Sequence, residues 1–188
     1  MPTVPYVRAD IREPTDIVGA IRARRAGALL NLDRMLLHSP HFARGWNSLL
    51  GATRSELSLE PRLRELCICA VGMLNGAEYE VHQHKGPLLA AGGSVAQLEA
   101  MRLALANAPG DDAPLGAATL DNALFSAGER AALRVACAMT RNVQVDAPLL
   151  EQARALLGSD ALLVELVGLI ATYNMVSRFL VALDVGIE

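Results

Sequence analysis

Apolar residues recur every three or four positions along almost all of this chain, and no segment of useful length alternates apolar with polar residues of β-branched type. The first pattern lays a stripe along one face of a helix, whereas a half-buried strand needs the second. Composition agrees: 52% of the 188 residues are hydrophobic but only 4% are aromatic, an Ala, Leu and Val mixture suited to packed helices. The chain is therefore read as all-α, a single domain over residues 1–188, long enough to bury a core without disulfides. So much apolar surface also predicts self-association into a homo-oligomer.

Individual helices can be placed. PTDIVGAIRARRAGALLNLDRMLLH carries Ile17, Ile21, Ala28, Leu32, Met35 and Leu36 on one period with basic residues opposite, and reads as one helix. Ser39 before Pro40 opens another, since the hydroxyl can accept an orphan N–H and proline has none to lose. SLEPRLRELCICAVGML repeats Leu59, Leu63, Leu66, Ala70 and Met73 and stops at Asn75-Gly76. AEYEVHQHKGPLLAAGG follows as a helix that Pro87 should kink or end early. Ser94 with Gln97, and Ser126 with Glu129, form capping boxes. They open VAQLEAMRLALA and ERAALRVACAM, after which come APLLEQARALLG and a long apolar helix from Asp160 to about Leu183.

Pro, Gly and Asp concentrate in a loop over 107–126, which separates a core motif region at 35–105 from a second helical unit at 127–188. Sliding SLEPRLRELCICAV over SAGERAALRVACAM aligns Ser58 with Ser126, Arg62 with Arg130, Cys69 with Cys137 and Ala70 with Ala138. A duplication of helical units would leave such an echo.

Charge and composition exclude several functions. The net charge is −3 with no basic run, so the phosphate-neutralising patch of a nucleic-acid binder is missing. The first residues have no apolar run behind a basic flank, unlike a secretory leader. The most apolar stretch, Ala161 to Ile187, is interrupted by Glu165, Asn174, Arg178 and Asp184, which argues against a membrane span. Three cysteines, an odd number, give no disulfide framework and fit the reducing cytoplasm.

Chemistry gathers in NGAEYEVHQH. Glu80 and His84 are i and i+4 on a helix and share a face, whereas His82 lies about 200° around from each. If the turn at Asn75-Gly76 folds two helices antiparallel, Glu65 faces the same hairpin and joins them in a proton-transfer unit. The plainer alternative makes Glu80 and His84 an exposed helical pair and Glu65 a surface partner of Arg62 or Arg64. A metal site is not expected, because His82 and His84 cannot reach one ion from the same helical turn and no third ligand is spaced to help. Trp46, Tyr79 and Tyr173 read as packing residues. Asn174 and Arg178, i and i+4 on the last apolar helix, line the pocket or satisfy each other.

RELCICAVGMLNGAEYEVHQHKGPLLAAGGSVAQLEAM resembles the core of the carboxymuconolactone decarboxylase family, whose members share an Arg-Glu helix, a short turn and an "EYEW…H" helix. It is also similar to the alkylhydroperoxidase D branch of that superfamily, whose motif runs Glu, eleven residues, Cys-x-x-Cys, three residues, His. On this chain Glu65 takes the glutamate and His84 the histidine, but the thiol positions fall on Ala77 and Glu80. Val81 replaces the usual tryptophan, and His82 is additional. A thiol peroxidase needs a low-pKa cysteine and a resolving partner, which alanine and glutamate cannot supply. Cys67 and Cys69, two apart on a helix, point to opposite sides and read as core thiols.

The resemblance implies an alkylhydroperoxidase D-like helical bundle and an enzyme of decarboxylase type, with Glu65, Glu80 and His84 catalytic. The implied chemistry needs neither metal nor organic cofactor: a proton moves to or from a carbon beside the carbonyl of a small carboxylated lactone or related acid. The alternatives are a peroxiredoxin-like oxidoreductase using one of the cysteines, and a non-catalytic helical oligomer that binds a small acid or a partner protein. Dimers, trimers and hexamers all fit the resemblance.

Overall fold

The computed structural model describes residues 2–106, 120 and 123–188. Most of the loop expected at 107–126 therefore lies outside the described residues. Among those described there are nine α-helices and no strand, so the all-α reading holds. They fall into two compact units: Met1–Leu57 with Phe179–Glu188, and Ser58–Arg178.

In the first unit, α1 (Thr15–Arg24), α2 (Asn31–Leu36) and α3 (Pro40–Ser55) bury Ile17, Ile21, Leu32, Met35, Trp46 and Leu50. The single helix expected over α1 and α2 is broken. The chain leaves α1 through Ala26 (φ 52°) and Gly27 (φ 93°), left-handed backbone that ends a helix. Arg22 holds the break from outside by donating to the carbonyls of Gly27 (2.6 Å) and Ala9 (2.7 Å). Beyond it Asp33, 2% exposed, accepts from the Leu30 N–H at 3.0 Å and meets Arg25 at 3.2 Å, so α2 starts on its own cap. Ser39 does precede α3, but its hydroxyl makes no capping bond there. Phe42, Trp46 and Phe179 stack at centroid distances of 5.1 to 6.0 Å.

The second unit contains α4 (Pro61–Leu74), α5 (Glu78–Ala90), α6 (Val95–Ala106), α7 (Ala127–Asn142), α8 (Ala147–Leu157) and α9 (Asp160–Ala182) as far as Arg178. α4 packs against α5, α6 and α7, and α7 against α8. Leu66, Cys69, Leu88, Met101, Phe125 and Leu133 lie in one buried cluster among these helices. Both capping boxes form: Gln97 and Ser94 exchange bonds at 3.1 Å, and Ser126 N–H donates to Glu129 Oε2 at 2.7 Å. The aligned Ser58 has no such role, because α4 is capped two residues later by Glu60, which accepts from the N–H groups of Arg62 and Leu63. Cys69 and Cys137 nevertheless share the core cluster.

Pro87 neither ends nor shortens α5, which continues to Ala90. The residue before a proline is normally pushed out of the α region by its own Cβ and N–H, and Gly86 has no Cβ to clash. α9 is the one described helix long and apolar enough, by length and composition, to cross a bilayer. Its polar groups are bonded to protein, however: Glu165 accepts from the N–H groups of Ser58 (2.8 Å) and Leu59 (3.0 Å).

Gly93 should be sensitive to any side chain. A Cβ there would lie 2.4 Å from Leu88 Cδ1 and 2.9 Å from the Leu88 carbonyl, and Leu88 is fully buried. Gly93→Ala is expected to cost about 1–3 kcal/mol by overpacking. Gly128→Ala, in open space in the first turn of α7, should be neutral or stabilising by up to about 1 kcal/mol. Denaturant unfolding of the two variants checks the contrast, and equal midpoints would contradict it.

Candidate active site

The site is built by the α4–α5 hairpin. Glu60 and Pro61 start α4, and Gly76 (φ 67°) reverses the chain after it, with the Ala77 N–H bonded back to the Gly72 carbonyl at 2.8 Å. α5 then lies close against α4 over Gly72, where a Cβ would stand 3.0 Å from Val81 Cγ2 and 3.1 Å from Glu80 Oε1.

This approach brings Glu65 to His84. The His84 Nδ1 is 2.7 Å from Glu65 Oε2, with the two residues 8% and 6% exposed. Opposite an ionised carboxylate, Nδ1 must carry the hydrogen, so in the neutral imidazole Nε2 holds the lone pair. The Arg64 Nε stands 3.5 Å from the other oxygen of Glu65. The His84 and fully buried Tyr173 rings pack in a T-shape, centroids 5.1 Å apart and planes at 89°.

Glu80 is buried as well, at 2% exposure, and its Oε1 accepts from the Ser177 hydroxyl at 3.0 Å. Beside it, Asn174 Nδ2 donates to Thr140 Oγ1 and to the Ile170 carbonyl, each at 3.0 Å, while its Oδ1 accepts from Asn75 Nδ2 at 3.1 Å. These bonds tie α9 to α7 and to the end of α4.

Glu65, Glu80 and His84 are thus gathered on the inner side of one hairpin, not spread over exposed faces, and His82 is exposed as its angular offset required. Asn174 is satisfied by Thr140 and Asn75, whereas Arg178 is exposed and lines nothing buried. Sequence reasoning treated Tyr173 as packing and passed over Ser177. The signal was present, since Tyr173, Asn174 and Ser177 make a polar stripe at helical spacing in an otherwise apolar helix. Among the described residues, no three His, Cys, Asp or Glu side chains are grouped to hold a metal ion.

Cys67 and Cys69 are core thiols. Burial, then Cys69 and Glu129, push the Cys67 thiol up to about 12. Burial, then Glu65 and Glu80, push Cys69 up to about 12.

Residues 40–123 match the Carboxymuconolactone decarboxylase family, in agreement with the motif. No curated protein matches the chain. Among solved structures, the chain is similar to an uncharacterized peroxidase-related protein from Silicibacter sp. TM1040, with a TM-score of 0.76 and 16% identity. The match covers 100% of this chain and 92% of that one. It is similar too to an alkylhydroperoxidase AhpD core, an uncharacterized peroxidase-related protein from Ralstonia eutropha JMP134, with a TM-score of 0.78, 16% identity and the same coverages. The fold is therefore alkylhydroperoxidase D-like.

The thiols make alkaline stability testable. An ordinary thiol ionises near 9.0, as in the unfolded chain, but these two hold their protons in the folded state until about 12. Only the unfolded chain releases protons between those values, so the stabilisation is complete below pH 9 and is lost as pH rises toward 12. The upper bound is about 1.4 kcal/mol per thiol per pH unit. The urea midpoint is expected to fall steeply above pH 9, and less steeply in Cys69→Ala. Slopes that are the same in both proteins would refute the assignment.

Proposed function

We propose that this protein, whose residues 40–123 match the carboxymuconolactone decarboxylase family, is a cofactor-independent enzyme that transfers a proton during decarboxylation of a small carboxylated lactone or related acid. The observation that carries the reading is the buried 2.7 Å contact between Glu65 and His84. Glu65 fixes the imidazole tautomer, so His84 presents Nε2 as the acid or base. Carbon dioxide leaves with the carbon–carbon bonding electrons remaining on substrate as an enolate, and His84 returns a proton to that carbon. Glu80, buried one helical turn before His84, is the second carboxyl group on this side of α5.

A thiol peroxidase is the competing reading, since both similar structures are of peroxidase-related proteins. It needs a thiolate at working pH, and thiols pushed up to about 12 are protonated there. Self-association belongs to the same proposal and is supported by exposed apolar side chains such as Leu103 on α6 and Val164 on α9, 63% and 70% exposed.

Incubation with a panel of carboxylated lactones, read by mass spectrometry for loss of carbon dioxide, should identify a substrate. On that substrate His84→Ala is expected to lower kcat by about 10²-fold or more, the usual size of a lost general acid or base. A folded Cys67→Ala, Cys69→Ala, Cys137→Ala variant should keep its turnover. Full activity in His84→Ala, or inactivity of the folded cysteine-free protein, would overturn the assignment.

A further inference from the structure

Arg64 stands apart from the other half-buried arginines of its unit. Arg62 pairs with Glu129 at 2.8 Å, Arg130 and Arg141 donate to backbone carbonyls at 2.6 and 3.2 Å, and Arg134 donates to Gln152 at 3.0 Å. The Arg64 side chain makes no hydrogen bond to any described residue, and its Nε is buried without a partner. Its ion pair with Glu65 runs from Nε to Oε1 at 3.5 Å, beyond the usual hydrogen-bond range. Taking a cation out of water costs on the order of several kcal/mol unless its donors are met. Unused N–H groups on a guanidinium whose side chain is 15% exposed therefore need a reason.

We propose that Arg64 is an anion-recognition residue that holds a carboxylate of a small acid next to His84. This deepens the proton-transfer reading of Glu65 and His84 and rests on it. Glu65 stands at Nε, so the outer edge of the guanidinium, its two Nη groups, is left as the end-on fork that a carboxylate fits. The other oxygen of Glu65 meets His84 Nδ1 at 2.7 Å, so one carboxyl group separates this fork from the imidazole. Glu65 also repels a second anion. Recognition then depends on two parallel hydrogen bonds and not on net charge, which selects a planar carboxylate over a spherical anion such as chloride.

Malonate is the probe, titrated at constant ionic strength in chloride, with neutral malonamide as its control. Nuclear magnetic resonance of histidine-labelled full-length protein follows binding, with the exposed His82 as an internal reference. Malonate is expected to shift the His84 signal saturably and leave His82 unmoved, and malonamide to shift neither. Arg64→Gln should raise the malonate Kd by about tenfold or more, the loss of a charge-assisted hydrogen bond, whereas Arg178→Gln on the exposed face of α9 should leave it unchanged. Were Arg64 only a balance for the charge of Glu65, Arg64→Gln would leave the malonate Kd as it was. That result, no saturable binding to the unaltered protein, or an equal loss in Arg178→Gln would overturn the proposal. If Arg64→Gln folds poorly, Arg64→Lys keeps the charge without the fork and should raise Kd by about threefold or more, an unchanged Kd again being the refutation. Binding is read without turnover, so full activity in His84→Ala would remove the enzymatic reading and leave the Arg64 site to stand or fall by itself.

Discussion

The site depends on how closely α4 and α5 approach at Gly72. A Cβ there would stand 3.0 Å from Val81 Cγ2 and 3.1 Å from Glu80 Oε1, so these side chains would have to give by a few tenths of an ångström. Glu65 lies about 15 Å along α4 from the turn and His84 about 12 Å along α5, at 1.5 Å rise per residue, so an antiparallel pair sets them side by side. The 2.7 Å contact between them tolerates little further separation before it ceases to be a hydrogen bond. One residue without a side chain therefore governs a bond two turns away.

Carboxylates elsewhere in this unit have structural duties, which sets Glu65 and Glu80 apart. Glu129 closes the capping box of α7, and Glu165 accepts two N–H groups ahead of α4. Both meet backbone donors that would otherwise be unsatisfied, a stabilising use of a carboxylate. Glu65 sits inside α4 and faces a histidine, and Glu80, although in the first turn of α5, bonds a serine hydroxyl on α9. Removing a carboxylate from water costs several kcal/mol, and an apolar residue would fill either position more stably. Such a pair is difficult to explain by stability and simple to explain by chemistry. The Asn75–Asn174–Thr140 bonds keep α9 fixed beside it.

What was legible in the sequence was mainly local. The capping boxes at Ser94 and Ser126, the stop at Asn75-Gly76, and the shared face of Glu80 and His84 all depend on residues within four positions of each other. The break after α1 was not legible, because Ala26 adopts positive φ under restraints from residues far from it: Arg22 bonds Ala9, and Arg25 meets Asp33. The continuity of α5 through Pro87 turned on the steric freedom of one glycine, Gly86. Ser177 escaped notice since its partner lies 97 residues away, and Asn174 was paired with Arg178 only because that residue is one turn along the same helix.

The same carboxylates bear on the thiols. Cys69 stands near Glu65 and Glu80, and after burial itself those two carboxylates are what raise its thiol. Negative charge disfavours a thiolate, so burial and these two carboxylates together keep Cys69 protonated. In the branch whose motif places a thiol at the position of Glu80, that charge is absent from the site. Exchanging that thiol for glutamate does more than delete a nucleophile. It places a carboxylate that, with Glu65 and after burial itself, raises the buried Cys69 thiol.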